Sequence, residues 1–479
     1  MDERSAAVAI IGAGTAGLAA LREVRRHTDD VLLIEAGAYG TTCARLGCMP
    51  SKLMIAAADA AEGCRNAATF GIETGPVMVD GRAVMARVQA LRDRFVSHVV
   101  ESVEDIPAEM RLRGRAVFEG DGRLRVTGEG RTTSVRAERI VIATGSRPMV
   151  PEMFAGLENV VTSDDVFGWQ TLPESVVVFG NGIIGLELGQ ALTRLGVRTR
   201  LLGKDGLVGP LTDPDVRAVA TEIFCNAFEF VPDHEVIDIS EADRLTIAYH
   251  ADGGEFSGNF DMALLAVGRV PNVDDLGLEA TSLALDEDGV PLFDPDTGQC
   301  GTSAVFIAGD GQNDRPLLHE ANHTGSIAGA NAAAYPAVAA GHRRTPLAVV
   351  FSDPGIAIVG ESHDGLMARG ADIVCGAADW SKQGRAQVID AACGRLHVYA
   401  DRADTRLLGA EMVGPAAEHI AHVLALAIEQ RMTLTELTAM PVYHPTLEEG
   451  LSTALCDALG QLSLGDPPLR HGLGHGAGG

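Results

Sequence analysis

The stretch "AAVAIIGAGTAG" at residues 6–17 decides the fold, because it joins an apolar strand to a glycine turn and the start of a helix. Gly12, Gly14 and Gly17 have the spacing of a dinucleotide-binding turn: the first allows a tight turn, the second lets pyrophosphate approach the backbone, and the third lets the helix pack against the strand. The next strand ends at Glu35, where a carboxylate can bind ribose hydroxyls. This pattern predicts a βαβ unit with a dinucleotide at the helix N-terminus.

The same pattern returns in "SVVVFGNGIIG" at residues 175–185, so we predict two Rossmann-like domains in an α/β fold. The turn glycines here are Gly180, Gly182 and Gly185. The following strand ends at Gly203 rather than at an acid, and Lys204 comes next. A carboxylate at this point favours NAD, whereas a basic residue can accommodate the 2′-phosphate of NADP, so the preference leans toward NADPH or mixed use. The alternative is that Lys204 is a solvated turn residue and Asp205 takes the place of the acid.

Composition and charge exclude several classes of function. The 479 residues are 46% hydrophobic and 22% charged, as in a globular chain that buries a large core. A net charge of −27 disfavours binding to nucleic acid and to an anionic membrane surface. No apolar run is long enough to span a bilayer, and the acidic N-terminus lacks the features of a secretory signal. These features predict a cytoplasmic protein, in which most thiols are reduced.

Two of the eight cysteines, Cys43 and Cys48, lie close together in "GTTCARLGCMPSK" at residues 40–52. In an ideal helix, positions i and i+5 are about 7.5 Å apart along the axis and lie on different sides. A disulfide between them therefore requires a distorted segment, which Gly47 permits. The pair is predicted to be redox-active, and Lys52 can lower a thiolate pKa. The alternative is a pair of buried thiols, while the other six cysteines are predicted to be isolated and inert.

The C-terminal part is predicted to contain antiparallel strands and an amphipathic helix. Near its end, "YHPTLEEG" at residues 443–450 offers His444, which can shuttle a proton near neutral pH, and Glu449 as an acceptor for the other ring nitrogen. Taken alone, this segment would be interpreted as a surface histidine before a proline. His419 and His422 share a helix face, which indicates packing, and no metal site is predicted.

Taken together, these segments resemble the flavin-dependent pyridine nucleotide–disulfide oxidoreductases of the dihydrolipoamide dehydrogenase and glutathione reductase type. The resemblance covers nearly the whole chain and keeps the family's motif order. The motifs are "GAGTAG", the Cys43/Cys48 segment, "ATGSRP", "GNGIIGLE", "AVGRVPN", "IAGD" and "HPTLEE". The resemblance implies an enzyme in which dihydrolipoamide reduces a Cys43–Cys48 disulfide and electrons pass through FAD to NAD(P)+.

The resemblance also implies roles for single residues. Cys48 would form the charge-transfer thiolate against the flavin, and Cys43 would attack the substrate disulfide. Lys52 would pair with Glu187 near the flavin. The first glycine turn would bind FAD, with Glu35 at the adenosine ribose, and the second would bind the nicotinamide dinucleotide. Further cofactor-binding positions would be Thr42, Thr144, Gly145, Lys204, Gly268, Asp310 at the ribityl chain and Ile183 over the nicotinamide pocket.

In this family the pair corresponding to His444 and Glu449 acts on the disulfide of the other subunit. The resemblance therefore implies a homodimer, with a cis bond between His444 and Pro445. It implies a lipoyl or other small disulfide as substrate and a 2-oxo acid dehydrogenase complex as a candidate partner. The domains implied are an FAD-binding domain (1–150 and 273–345), an NAD(P)-binding domain (151–272), a C-terminal dimerisation domain (346–466) and a flexible tail (467–479).

Several positions depart from the family's pattern and leave the substrate open. Thr41 replaces the second glycine before the Thr-Cys pair, "ARLGCMP" is a less usual form of the next segment, and Tyr443 stands where a small residue is common. The missing acid at Gly203 motivates a second hypothesis, an NADPH-driven reductase of another small disulfide or of a quinone. A third hypothesis is a flavin-bound scaffold within a complex, against which the intact redox cysteines argue.

Overall fold

The computed structural model of the chain describes residues 2–128 and 130–462 and divides into two compact units. Residues 467–479, predicted as a flexible tail, lie outside the described residues. The predicted division into three domains stays a prediction. The first unit comprises Met1–Pro50, Ala86–Met149 and Gly268–Arg343, and the second comprises Ser51–Met85, Val150–Val267 and Arg344–Gly479.

The strands of the described residues are numbered in chain order. They are β1 Asp2–Ile11, β2 Val31–Glu35, β3 Arg111–Arg113, β4 Arg115–Gly120, β5 Arg123–Gly128, β6 Arg131–Ile142, β7 Ser146–Pro148, β8 Val160–Thr162, β9 Ser175–Phe179, β10 Arg198–Leu202, β11 Glu229–Val231, β12 Glu235–Glu241, β13 Leu245–Ala251, β14 Gly254–Phe260, β15 Met262–Leu265, β16 Arg269–Pro271, β17 Val305–Ile307, β18 Leu347–Val350, β19 Gly355–Gly360, β20 Ile373–Asp379, β21 Arg395–Asp401 and β22 Leu407–Gly414.

The α-helices of the same residues are also numbered in chain order. They are α1 Thr15–Val24, α2 Thr42–Leu46, α3 Cys48–Asn66, α4 Gly81–Glu104, α5 Ile183–Arg194, α6 Pro214–Ala227, α7 Leu318–Ala334, α8 His363–Ala368, α9 Gly384–Val388, α10 Ala417–Glu429, α11 Leu434–Thr438 and α12 Glu448–Gln461. None of them is both long and apolar enough to cross a membrane.

In the first unit, β1 is a central strand, and its apolar residues enter cores on both faces of the sheet. Val8 and Ile10 pack on the side of α1 and α7, whereas Ala9 and Ile11 pack on the side of β4 and β5. β1 pairs in parallel with β2 and β6, and the sheet order is β3-β2-β1-β6-β5-β4, with β17 also paired to β6. The glycine turn after β1 leads directly into α1, as the sequence predicts.

In the second unit, β9 and α5 repeat the arrangement of β1 and α1. β9 lies within a parallel sheet of order β11-β10-β9-β15-β8. The C-terminal part is an antiparallel sheet of order β18-β19-β22-β21-β20, with α10 and α12 packed against one face and the fully buried Trp380 in that core. The predicted fold class is confirmed: two Rossmann-like parts and a C-terminal α+β part.

Gly329 in α7 lies against the backbone of α1. A β carbon at position 329 would come 2.5 Å from the carbonyl oxygen of Ala20. Gly329→Ala should therefore lower the free energy of unfolding by about 1–3 kcal/mol, because two packed helix backbones cannot separate without losing contacts. Urea unfolding followed by circular dichroism measures the change.

The matched control is Gly63→Ala in α3, where a β carbon would meet no atom within 4 Å. Removing this exposed helical glycine should raise stability by about 0.5–1 kcal/mol. Equal stability of the two variants would contradict the packing argument.

Candidate active site

The first glycine turn fits a bound dinucleotide. A β carbon at Gly12 would lie 2.2 Å from the Ala143 carbonyl oxygen, and one at Gly17 would lie 1.8 Å from the Gly12 carbonyl oxygen. At Gly14, the N-cap of α1, a β carbon would meet nothing within 4 Å. The turn is therefore closed toward the protein and open at the helix N-terminus, where phosphate binds. Glu35 supports the turn by accepting a hydrogen bond from the Ala13 amide at 2.7 Å.

Other predicted FAD-binding positions of the first unit lie around a buried polar atom that has no hydrogen-bond partner. The Thr144 hydroxyl oxygen is buried and has no hydrogen-bond partner in the structure. Gly145 and Gly268 have φ angles of 69° and 127°, and a β carbon at either would meet nothing within 4 Å. The Asp310 carboxylate accepts a hydrogen bond from the Ser146 hydroxyl at 2.8 Å, which fixes its orientation. A buried hydroxyl without a partner, next to glycines with free space beside them, fits a polar ligand such as the flavin nucleotide.

The redox segment is divided into two helices at Gly47, the residue that the sequence indicates would permit a distortion. Cys43 lies in α2, which starts at the exposed Thr42, and Cys48 is the first residue of α3. Gly47, between the helices, has φ −129° and ψ −115°, which lie outside the helical region. Cys43 is partly buried and Cys48 is exposed. The distortion that a disulfide between them requires is present, whereas the redox disulfide itself stays a prediction.

Thr41 is a strained residue at the start of this segment. Its φ of 56° and ψ of 150° lie in a region that is essentially reserved for glycine, at a cost of about 1–3 kcal/mol. Its hydroxyl accepts a hydrogen bond from the Ala44 amide at 3.3 Å and so caps α2, the helix that carries Cys43. The departure from the family's glycine therefore adds a helix cap and backbone strain at the same position.

The predicted pair of Lys52 and Glu187 forms within the second unit. The Lys52 ammonium lies 2.7 Å from Glu187 Oε2, and the other carboxylate oxygen accepts a hydrogen bond from the Phe351 amide at 3.0 Å. Glu187 is 4% exposed and Lys52 is 33% exposed. The ammonium also lies 4.7 Å from the centre of the Phe351 ring. Because the carboxylate is buried, the lysine charge is held at one point rather than free to move.

The second glycine turn has the same construction as the first. A β carbon at Gly180 would lie 2.3 Å from the Ala266 carbonyl oxygen, and one at Gly185 would lie 1.8 Å from the Gly180 carbonyl oxygen. Gly182 is open to space and caps α5, whose first residue is the partly buried Ile183. The turn therefore also fits a dinucleotide.

The missing acid at Gly203 has a steric cause that the sequence does not reveal. A β carbon there would lie 2.7 Å from both the Asn181 Nδ2 atom and the Pro232 carbonyl oxygen. The Asn181 amide is held in place by donating to the carbonyl oxygens of Leu207 at 2.6 Å and Lys204 at 3.1 Å. Position 203 therefore has no room for a carboxylate, and the side chains that remain exposed at this end are those of the next two residues.

His444 and Glu449 form the hydrogen-bonded pair that the sequence predicts. The His444 Nδ1 atom lies 2.9 Å from Glu449 Oε1, and the other carboxylate oxygen accepts from the Thr446 amide at 3.0 Å. The histidine is 45% exposed, whereas the glutamate is 17% exposed. The bond between His444 and Pro445 is cis, which confirms that expectation. The pair has the geometry of an accessible base with a fixed orienting group.

Of the cysteines predicted to be inert, three have environments that suppress ionisation. Burial raises the pKa of the Cys300 thiol to about 12, and it also raises the pKa of Cys225 and of Cys393. A thiol with a raised pKa is a poor nucleophile near neutral pH.

Sequence reasoning missed a polar cluster in the second unit, and the prediction that Cys375 is isolated is wrong. A carboxylate oxygen of Asp213, the Cys375 sulfur and a ring nitrogen of His397 lie within 4.8 Å of one another. Burial alone would lower the pKa of His397, but its interactions with Asp213 and Cys375 outweigh burial and raise that pKa to about 9. These positions lie far apart in the sequence and meet only in the tertiary structure, so no local motif could have identified them.

The sequence matches two family models. Residues 6–334 match the model described as "Pyridine nucleotide-disulphide oxidoreductase", and residues 347–455 match the dimerisation domain of the same family. Dihydrolipoyl dehydrogenase 2 of Haloarcula marismortui is 33% identical to this chain over 473 residues, covering 94% of this chain and 96% of that protein. Dihydrolipoyl dehydrogenase of Halobacterium salinarum is 33% identical over 464 residues, covering 95% and 96%.

Solved structures share the fold at lower sequence identity. LpdA from Mycobacterium tuberculosis has a TM-score of 0.80 and 24% identity, covering 95% of this chain and 99% of that chain. The HOCl-induced flavoprotein disulfide reductase RclA from Escherichia coli has a TM-score of 0.79 and 21% identity, with the same coverage. At these identities the likeness concerns the fold alone.

The roles of the Thr41 hydroxyl and of its backbone strain can be separated by substitution. Thr41→Ala removes the cap and keeps the strain, whereas Thr41→Gly removes both. Thr41→Gly should therefore be more stable than Thr41→Ala by about 1–3 kcal/mol, the reverse of the usual order of these residues in helices.

Urea denaturation of the two variants and of Thr41→Ser, which keeps the hydroxyl, measures this difference. If the alanine variant is as stable as the glycine variant, the conformation of Thr41 is not strained.

Proposed function

The chain belongs to the pyridine nucleotide–disulphide oxidoreductase family and uses FAD and NAD(P), and we propose that it oxidises dihydrolipoamide through a Cys43–Cys48 redox disulfide. The single observation that carries the proposal is the break at Gly47. It places Cys43 in α2 and Cys48 in α3 rather than both in one continuous helix. The names of the relatives at 33% identity over nearly the full length support the choice of substrate.

The cysteines exchange two electrons with the substrate. One thiolate of dihydrolipoamide attacks the Cys43 sulfur, the Cys43–Cys48 bond breaks, and Cys48 leaves as a thiolate. The second substrate thiolate then attacks the mixed disulfide, so that lipoamide forms and Cys43 is released. FAD, when bound, would carry these two electrons from the cysteines to NAD(P)+.

Glu187 fixes the position of the Lys52 ammonium for this chemistry. Lys52 follows Cys48 by one turn of α3, and its ammonium is held by the buried carboxylate at 2.7 Å. A fixed cation favours the thiolate form of a cysteine over the thiol. We assign to this pair the role of stabilising negative charge that forms during reduction.

His444 and Glu449 move the protons that the thiols release. A dithiol loses two protons as it becomes a disulfide, and a histidine near neutral pH accepts them most readily. Residues 347–455 match a dimerisation domain, so we propose a homodimer in which the histidine of one subunit serves the disulfide of the other. Association with a 2-oxo acid dehydrogenase complex and a cytoplasmic location complete the proposal.

A second function, the NADPH-dependent reduction of another small disulfide or of a quinone, is favoured by one observation. Asn181 occupies the space beside Gly203, so the carboxylate that selects NAD is sterically excluded from that position. Lys204 is exposed directly after it and can meet a 2′-phosphate. The two functions share the redox cysteines and differ in substrate and in nucleotide.

Anaerobic titration of the purified flavoprotein with dihydrolipoamide distinguishes them. We expect a long-wavelength charge-transfer absorption within one turnover, because the substrate's two electrons leave Cys48 as a thiolate beside the oxidised flavin. Cys48→Ser should abolish this absorption, and Cys64→Ser, a change at another exposed cysteine, should leave it intact. Prompt reduction by NADPH without any response to dihydrolipoamide would overturn the dihydrolipoamide proposal in favour of the second function.

The nucleotide preference is tested at Lys204. Lys204→Glu should lower kcat/KM for NADP(H) relative to NAD(H) by about tenfold or more, because it replaces a charge-assisted contact to the 2′-phosphate with repulsion. Steady-state kinetics with both nucleotides measures the ratio.

The control for this experiment is Lys382→Glu, the same change of charge at a lysine that is 83% exposed in the C-terminal part. An unchanged nucleotide ratio in Lys204→Glu would show that Lys204 is a solvated turn residue.

A further inference from the structure

The C-terminal sheet carries polar side chains on the face opposite its hydrophobic core. In the register of β20, β21 and β22, Cys375 pairs with Tyr399 and His397 pairs with Glu411, so these four side chains project from one face. The alternate residues of the same strands, such as Val398, belong to the core under α10 and α12.

The segment before α6 contributes the last member of this group. Asp213 is the N-cap of α6: its Oδ1 atom accepts hydrogen bonds from the amides of Asp215 at 3.0 Å and Val216 at 3.1 Å. Its Oδ2 atom accepts from His397 Nδ1 at 2.8 Å and from the Tyr399 hydroxyl at 2.8 Å. The helix cap therefore fixes one carboxylate oxygen and directs the other toward the sheet.

Three side chains of this group offer the donor set of a transition metal. An Asp213 oxygen, the Cys375 sulfur and a His397 nitrogen lie within 4.8 Å of one another. Asp213 and His397 are buried, at 3% and 6% exposure, whereas Cys375 is half-buried. A mixed set of carboxylate, thiolate and imidazole is typical of Zn²⁺, which accepts all three ligand types.

Glu411 is a second buried carboxylate beside these donors. Glu411 is 0% exposed, and its oxygens accept hydrogen bonds from the Thr212 amide and hydroxyl, the Asp213 amide and the His363 amide. Within residues 2–128 and 130–462, no lysine, arginine or histidine forms an ion pair with Glu411. Two buried carboxylates thus adjoin His397, with the ring of His363 also close by, 5.9 Å from that of Tyr399 between centres. Buried charge is ordinarily paired or bound to a metal.

We propose that Asp213, Cys375 and His397 bind Zn²⁺, with a water molecule as the fourth ligand. Tetrahedral Zn²⁺ places its oxygen, nitrogen and sulfur ligands at about 2.0–2.3 Å, so the three atoms need to settle at roughly 3.3–3.7 Å from one another. The contact between Asp213 and His397 opens slightly, and the Cys375 sulfur moves toward them. The ion replaces the proton shared by Asp213 and His397 and the thiol proton, so two protons are released to solvent.

The bound ion joins two separate parts of the second unit. Asp213 precedes α6, which follows the nucleotide-binding β10, whereas Cys375 and His397 belong to the C-terminal sheet. The site stabilises that packing and takes no part in electron transfer. The proposal is independent of the substrate that the redox cysteines serve.

The test uses the full-length flavoprotein, treated with a chelator, dialysed and titrated with Zn²⁺ under non-reducing conditions. We expect about one bound ion per chain by elemental analysis. Cys375→Ser and His397→Gln should weaken binding at least tenfold, consistent with the loss of one ligand. Cys393→Ser, at another half-buried cysteine, should bind as the unaltered protein does. Absence of Zn²⁺ binding, or binding that all three variants retain, would overturn the proposal.

A second measurement identifies the sulfur ligand even if His397→Gln folds poorly. Co²⁺ bound in place of Zn²⁺ should give a thiolate-to-metal charge-transfer absorption in the unaltered protein and in Cys393→Ser. Loss of this absorption in a folded, flavin-containing Cys375→Ser variant supports the site. Persistence of the absorption in Cys375→Ser would place the metal elsewhere and refute the assignment.

Discussion

The close approach of the third turn glycine to the carbonyl of the first is the constraint on which both proposed dinucleotide sites depend. At Gly17 and at Gly185 alike, a β carbon would lie 1.8 Å from that carbonyl oxygen. The contact holds the helix so near its strand that the amides at the helix N-terminus face the open side of the turn. Without it, β1 with α1 and β9 with α5 would still be strands and helices, but their helix ends would no longer converge on a phosphate.

Local sequence patterns predicted much of the fold and the pairing of His444 with Glu449. Glycine spacing predicted the two turns, because only glycine tolerates the backbone contacts found there. The distorted redox segment followed from the geometry of an i, i+5 cysteine pair and from Gly47. The pairing of Lys52 with Glu187, at 2.7 Å across distant parts of the sequence, came from the resemblance to a family rather than from any local pattern.

What the sequence could not predict depends on side chains that meet through tertiary structure. The absence of an acid at Gly203 left two interpretations of the nucleotide preference open. The structural reason for that absence is the side-chain amide of Asn181, which fills the space beside Gly203. The strain at Thr41 follows from its backbone conformation in the folded chain, which a threonine in the sequence does not indicate. Cys375 looked isolated because its neighbours come from another strand and from the start of α6.

The hydrogen bond between His444 and Glu449 determines which ring nitrogen of His444 carries the hydrogen. A carboxylate can only accept, so the Nδ1 atom that faces Glu449 at 2.9 Å must carry the hydrogen. In the neutral ring this leaves the lone pair on Nε2, at the end of the ring that points away from the carboxylate. The tautomer is thus selected before any substrate arrives, and a thiol that approaches the ring from solvent meets an acceptor rather than a second donor.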